Sequence, residues 1–103
     1  MRGTTNRQKE SIKRQLVVCL QGQKEVRKIV VFGSFLTNPS PNDLDVAVFQ
    51  DSQEGYLSLA MKYRRLTRDI ARLLPLDIVP VRMEITESAW VAEIERGEVI
   101  YEA

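Results

Sequence analysis

Three short apolar runs constrain this chain most: Val26–Phe32, which contains KIVVF, Leu44–Phe49 (LDVAVF) and Leu76–Val81 (LDIVPV). Each is rich in β-branched residues and bounded by turn formers, so each reads as a buried strand. Strands that are apolar on both sides need cover on both faces, and the segments around them supply it. From about Arg7 to Gln21, Ile12, Leu16, Cys19 and Leu20 recur at helical spacing among charged residues, with Gly22 as a stop. From Tyr56 to Leu74, the residues Leu59, Tyr63, Leu66, Ile70 and Leu73 form one stripe. Lys62, Arg64, Arg65, Arg68 and Arg72 lie off it, and Pro75 ends the helix. Thr86 or Ser88 caps an expected short final helix carrying Trp90 and Ile94, with Gly97 at its end and a last strand over Val99–Tyr101. Met1 to about Asn6 is expected to be frayed, and TNPSPN (Thr37–Asn42) to be a loop. Pro80 predicts an edge position for the third strand, or a place among its last residues. The order α, β, β, α, β, α predicts a small α/β (α+β) sandwich, one mixed sheet covered by helices.

At 103 residues the chain suits one domain over 1–103, without a large second lobe to enclose a substrate. Fifteen basic and 14 acidic side chains leave a net charge of +1, which argues against a dedicated nucleic-acid binder. The chain has no histidine, so histidine general bases, Ser-His-Asp triads and His-based zinc sites are excluded. Acid–base or metal chemistry must rest on carboxylates. One cysteine, a polar N-terminus and no membrane-length apolar run predict a cytoplasmic protein that spans no membrane.

Three features carry chemistry, and each has a plainer reading. Gly33-Ser34 directly follows a buried strand, where glycine allows a tight turn and close ligand approach. If a short helix starts there, its free N–H groups and the Ser34 hydroxyl form a phosphate cradle. Alone, the pair reads more simply as a strand-end turn. Asp43-Leu44-Asp45 puts two carboxylates two residues apart, hence on one face of a strand, where both can reach a hard cation such as magnesium. The alternative is that Asn42-Asp43 belongs to the turn. Asp77 sits inside an apolar run, where a buried carboxylate needs a metal, a proton or a cation such as Arg82 or Arg27. Jointly, the ordered set supports a site for paired metal ions about 3.5–4 Å apart and in-line displacement at phosphorus.

The succession VVFGSF, NDLDVAVF and LDIVPV resembles the nucleotidyltransferase superfamily that includes DNA polymerase beta and the kanamycin nucleotidyltransferases. The chain's size and the ending IERGEVIY are similar to the minimal nucleotidyltransferases, commonly encoded beside HEPN proteins as toxin–antitoxin pairs. The resemblance spans roughly Val26 to Tyr101. It implies that Gly33 and Ser34 hold the β- and γ-phosphates of a nucleoside triphosphate. Asp43 and Asp45 would bind Mg²⁺, and Asp77 would bind metal and deprotonate the attacking hydroxyl. Two departures stand out. Minimal members usually carry a longer loop, and many an arginine, after Gly-Ser. Here eight residues separate Ser34 from Asp43, and they begin with Phe35, Leu36, Thr37 and Asn38.

The leading expectation is therefore an Mg²⁺-dependent enzyme moving a nucleoside monophosphate, AMP from ATP, to a hydroxyl of a HEPN-type partner protein. The alternative is a binding module of the same fold, weak or inactive in catalysis, acting as antitoxin or scaffold. Nucleic-acid modification through Lys62, Arg64, Arg65, Arg68 and Arg72 is less favoured, because a solvated helix face explains those charges. The oligomeric state stays open.

Overall fold

The computed structural model describes residues 5–83 and 94–103. Its elements follow the chain as α1 (Asn6–Leu20), β1 (Val26–Phe32), α2 (Ser34–Thr37), β2 (Leu44–Gln50), α3 (Tyr56–Leu66), α4 (Arg68–Ala71), β3 (Leu76–Arg82) and β4 (Glu98–Glu102). The strands form one mixed sheet of order β3-β2-β1-β4. β1 runs antiparallel to both β2 and β4, and β2 runs parallel to β3. A parallel pair needs a crossover, which α3 and α4 provide. No helix among the described residues is long and apolar enough to cross a membrane.

Alternation along the strands divides the core in two. Ile29, Val31, Leu44, Val46, Val48 and Ile78 face Ile12, Leu16, Leu20, Leu59, Tyr63 and Ile70 from the helices. On the opposite face Val30, Phe32, Ala47, Phe49 and Val81 pack with Ile94. β2 is buried on both faces, which explains its apolar run from Val46 to Phe49. Among the described residues β3 has one pairing partner, β2, which agrees with the edge position expected from Pro80. Its missing N–H is tolerated where no second strand requires it.

Three expectations need correction. Thr5 and Asn6 are not frayed: the Thr5 side chain accepts from Gln8 N while Gln8 bonds back to Thr5 N, a reciprocal cap that starts α1 at Asn6. The long second helix is interrupted at Thr67 (φ −109°, ψ 17°), whose hydroxyl donates to the Tyr63 carbonyl at 2.7 Å. The break shifts the phase of the last turn, so Leu74 is buried and Leu73 is 43% exposed. The expected helix with Trp90 lies outside the described residues except at its end, where Ile94 is buried and Gly97 N donates to the Ile94 carbonyl. β4 is longer than expected by one residue at each end.

A polar clamp joins α3 to the start of β1. The hydroxyl of fully buried Tyr63 donates to Glu25 Oε2 at 2.8 Å, and Lys62 Nζ lies 3.0 Å from the same oxygen and 3.3 Å from Glu54. Burial alone would raise the Glu25 carboxyl. The bonds from Lys62 and Tyr63 outweigh it and hold Glu25 below the usual carboxylate range. Burial first, and then Glu25, pushes the Tyr63 phenol well above its ordinary value. Because the folded pKa of Glu25 is depressed, its stabilisation is full above the ordinary carboxylate pKa. It fades as pH falls through the lowered folded value. Glu25→Ala should cost about 1–3 kcal/mol at neutral pH, since it strands the buried hydroxyl, whereas Tyr63→Phe should cost less. Urea unfolding across pH should show the Glu25→Ala deficit shrinking in acid; a pH-independent deficit would refute the ionic part of the clamp.

Candidate functional site

The register of the sheet decides where the chemistry-bearing side chains stand. Asp45 pairs with Phe32 across the antiparallel ladder and with Asp77 across the parallel one. Register partners share a face, so Asp45 and Asp77 stand side by side in one row with Phe32. The next row is Val30, Ala47 and Val79, and the third is Lys28, Phe49 and Val81, with Lys28 Nζ 4.6 Å from the Phe49 ring centre. The two carboxylates thus crown the apolar face opposite α1 and α3, where β1 ends and β2 and β3 begin. Asp43 precedes β2 and is exposed.

Asp77 is exposed, not buried as its apolar sequence context implied. The edge position of β3 is the reason: a side chain there has strand neighbours on one side only. Neither salt-bridge alternative is realised among the described residues, where Arg27 pairs with Asp51 at 2.7 Å and Asp77 has no ion pair.

Gly33 brings the turn against this row. Its φ of +80° with ψ of −159° is a conformation essentially reserved for glycine. A Cβ at this position would lie 2.6 Å from Asp45 Oδ2. Ser34 then opens the single turn of α2, whose Phe35 is fully buried and anchors the turn in the helix-covered core. The Ser34 hydroxyl donates to Asp43 Oδ1 at 3.5 Å, the outer limit of a hydrogen bond. Lys9 Nζ donates to the Asn38 carbonyl at 2.8 Å and lies 5.5 Å from the Phe35 ring, pinning the start of the loop to α1. The structure therefore brings Gly33, Ser34, Asp43, Asp45 and Asp77 to one end of the sheet.

An oxygen-only, carboxylate-rich set beside a glycine cradle fits a hard cation such as Mg²⁺. Asp45 and Asp77 are neighbours in register, and Asp43 is turned toward Ser34. Among the described residues, however, no three acidic side chains converge on a common ion position. Side-chain rotation of exposed Asp43 and Asp77 would be needed to close a shared coordination shell.

One residue at this end carries no signal in the motif pattern. Arg96 lines a cleft of about 200 Å³ together with Gly33, Leu36 and Thr37. Its only sequence cue is its place before Gly97 in IERGEV. A larger groove, about 500 Å³, lies between α1 and β4. Of the two cations that line it, Lys13 and Arg14, the first is paired with Glu10 and Glu98, and none of the five motif residues lines it.

The family model described as polymerase beta, nucleotidyltransferase, matches residues 14–103. No curated protein matches the sequence. Among solved structures, the chain is similar to one in the complex of a tri-AMPylated Shewanella oneidensis HEPN toxin with MNT antitoxin. There the identity is 15%, with 92% of this chain and 73% of that chain covered and a TM-score of 0.62. The toxin–antitoxin MntA-HepT gives 14% identity, 91% and 73% coverage, and a TM-score of 0.60. A toxin–antitoxin structure with AMP-PNP gives 17%, 88% and 73%, and 0.62. At such identities the likeness establishes the fold, a four-stranded mixed sheet with helices.

The close approach of Gly33 to Asp45 is directly testable. Gly33→Ala should destabilise the protein by about 1–3 kcal/mol through its positive φ and the contact with Asp45. Adding Asp45→Ala should recover part of that loss, with a coupling of about 1 kcal/mol in a denaturation double-mutant cycle. Strict additivity would show that the two residues do not touch.

Proposed function

Because the chain belongs to the polymerase beta nucleotidyltransferase family, we propose that it transfers AMP from ATP to a hydroxyl of a HEPN-type partner protein. The observation that carries this reading is the row of Asp45 and Asp77 in register, with Gly33 packed on the Asp45 carboxylate. The neighbouring solved structures support the choice of group and partner, since one is described as a tri-AMPylated HEPN toxin in complex with MNT antitoxin and another as a toxin–antitoxin with AMP-PNP.

In this reading Gly33 leaves room for the β- and γ-phosphates beside the turn, and the Ser34 hydroxyl donates to a phosphate oxygen. Asp43, Asp45 and Asp77 would hold Mg²⁺, which when bound neutralises the charge of the phosphates and of the displaced pyrophosphate. The acceptor oxygen attacks the α-phosphorus in line. The bond from that phosphorus to the oxygen bridging to the β-phosphate breaks, and pyrophosphate leaves with the bonding pair. Asp77 takes the hydroxyl proton; its exposure on the edge strand lets it pass that proton on to water. Among the described residues the carboxylate row lies open beside an edge strand, which suits an acceptor brought by the partner.

A second reading has one observation in its favour. Tyr56, Leu57 and Met61 stand 58%, 67% and 59% exposed at the start of α3, an apolar surface through which a partner could be neutralised without chemistry.

With labelled ATP, Mg²⁺ and a HEPN partner, label should pass to the partner. Asp45→Ala and Asp43→Ala should each lower the rate at least about 100-fold. Transfer that survives Asp45→Ala would sink the mechanism. Inhibition of the partner by an Asp43→Asn/Asp45→Asn protein without nucleotide would favour the second reading.

A further inference from the structure

A triphosphate brought to the Gly33 turn adds several negative charges beside Asp43 and Asp45. The eight residues from Phe35 to Asn42 contain no charged side chain to offset them. Two other cations among the described residues are engaged. Lys9 is buried against the Asn38 carbonyl and the Phe35 ring, and Lys28 sits over Phe49, two rows down the sheet. Arg96 is different. It is exposed, makes no ion pair among the described residues, and lines the cleft with Gly33, Leu36 and Thr37.

The main chain around Arg96 is held at two points. On one side Ile94 is 2% exposed and packs in the cluster with Phe32 and Val30. On the other, Gly97 lies directly on β1: a Cβ there would meet the Val31 carbonyl oxygen at 2.5 Å and Phe32 Cβ at 2.9 Å. The Gly97 N–H closes the turn onto the Ile94 carbonyl at 2.9 Å. Arg96 therefore projects from a segment fixed against the end of β1, the strand that leads into Gly33. A planar guanidinium carried on such a segment suits two oxygens of one phosphate, and little backbone entropy is lost when it binds.

We propose that Arg96 is a binding residue for the terminal phosphates of the nucleotide, supplying from the chain's last segment the cation that the loop after Ser34 lacks. The inference rests on the nucleotidyltransferase reading above and adds a determinant of triphosphate over monophosphate selectivity. In this role Arg96 engages the phosphate tail and not the reacting atoms, so its effect falls on affinity for that tail.

The test is calorimetric titration of the full chain with Mg²⁺ and ATP, ADP or AMP, using wild type, Arg96→Ala and Arg96→Lys, with thermal unfolding as a check on folding. Arg96→Ala should weaken ATP binding roughly 10- to 100-fold. AMP binding should change less than about twofold, and Arg96→Lys should recover part of the loss through its point charge. Equal ATP affinity in wild type and Arg96→Ala overturns the role of Arg96 and leaves the nucleotidyltransferase reading standing. A uniform loss for ATP and AMP alike also overturns it, because the effect would not follow the phosphate tail. Wild-type protein that binds none of the three nucleotides overturns both.

Discussion

The register of β2 is the constraint on which the rest of the molecule depends. β2 is paired on both sides, antiparallel to β1 and parallel to β3, and both of its faces are buried. In that register Phe32, Asp45 and Asp77 form a single row. A slip of one residue against either neighbour would send Val46 and Val48 to the face of Phe49 and turn Asp45 toward the helices. Apolar patterning and the placement of the carboxylates are thus one requirement. The same alternation that buries Leu44, Val46 and Val48 beneath α1 and α3 lifts Asp45 onto the opposite face.

The two faces divide the work of the fold. The helix-covered face holds the larger cluster and its polar fastening, where Tyr63, Glu25 and Lys62 tie the crossover helix to the start of β1. Among the described residues the opposite face has a smaller cluster, and its top row carries Asp45 and Asp77 beside Phe32.

Much of this was legible in the sequence, and the parts that were not share a cause. The strands were readable because β-branched runs bounded by turn formers have few alternatives. Pro80 correctly marked an edge, since a missing donor cannot serve a central ladder. The five residues singled out in the sequence lie together at one end of the sheet. The exposure of Asp77 was not readable, because LDIVPV looks the same whether or not a further strand lies beyond it. The break at Thr67 was hidden because a threonine hydroxyl bonding back to a carbonyl leaves no mark on the periodicity until Leu73 and Leu74 exchange places. Arg96 was missed because its position depends on the contact of Gly97 with Val31, residues far apart in sequence.

The proline in β3 has a consequence for how this small sheet meets other chains. An incoming strand seeks an edge with an uninterrupted series of donors and acceptors. Along β3 that series is broken at Pro80, within the strand that carries Asp77. The other edge, β4, contains no proline, and its outer side has no strand partner among the described residues. Among the described strands the sheet is therefore polarised toward growth: β4 offers an edge that can be extended, while Pro80 makes the edge beside the carboxylate row a poor template for a further strand.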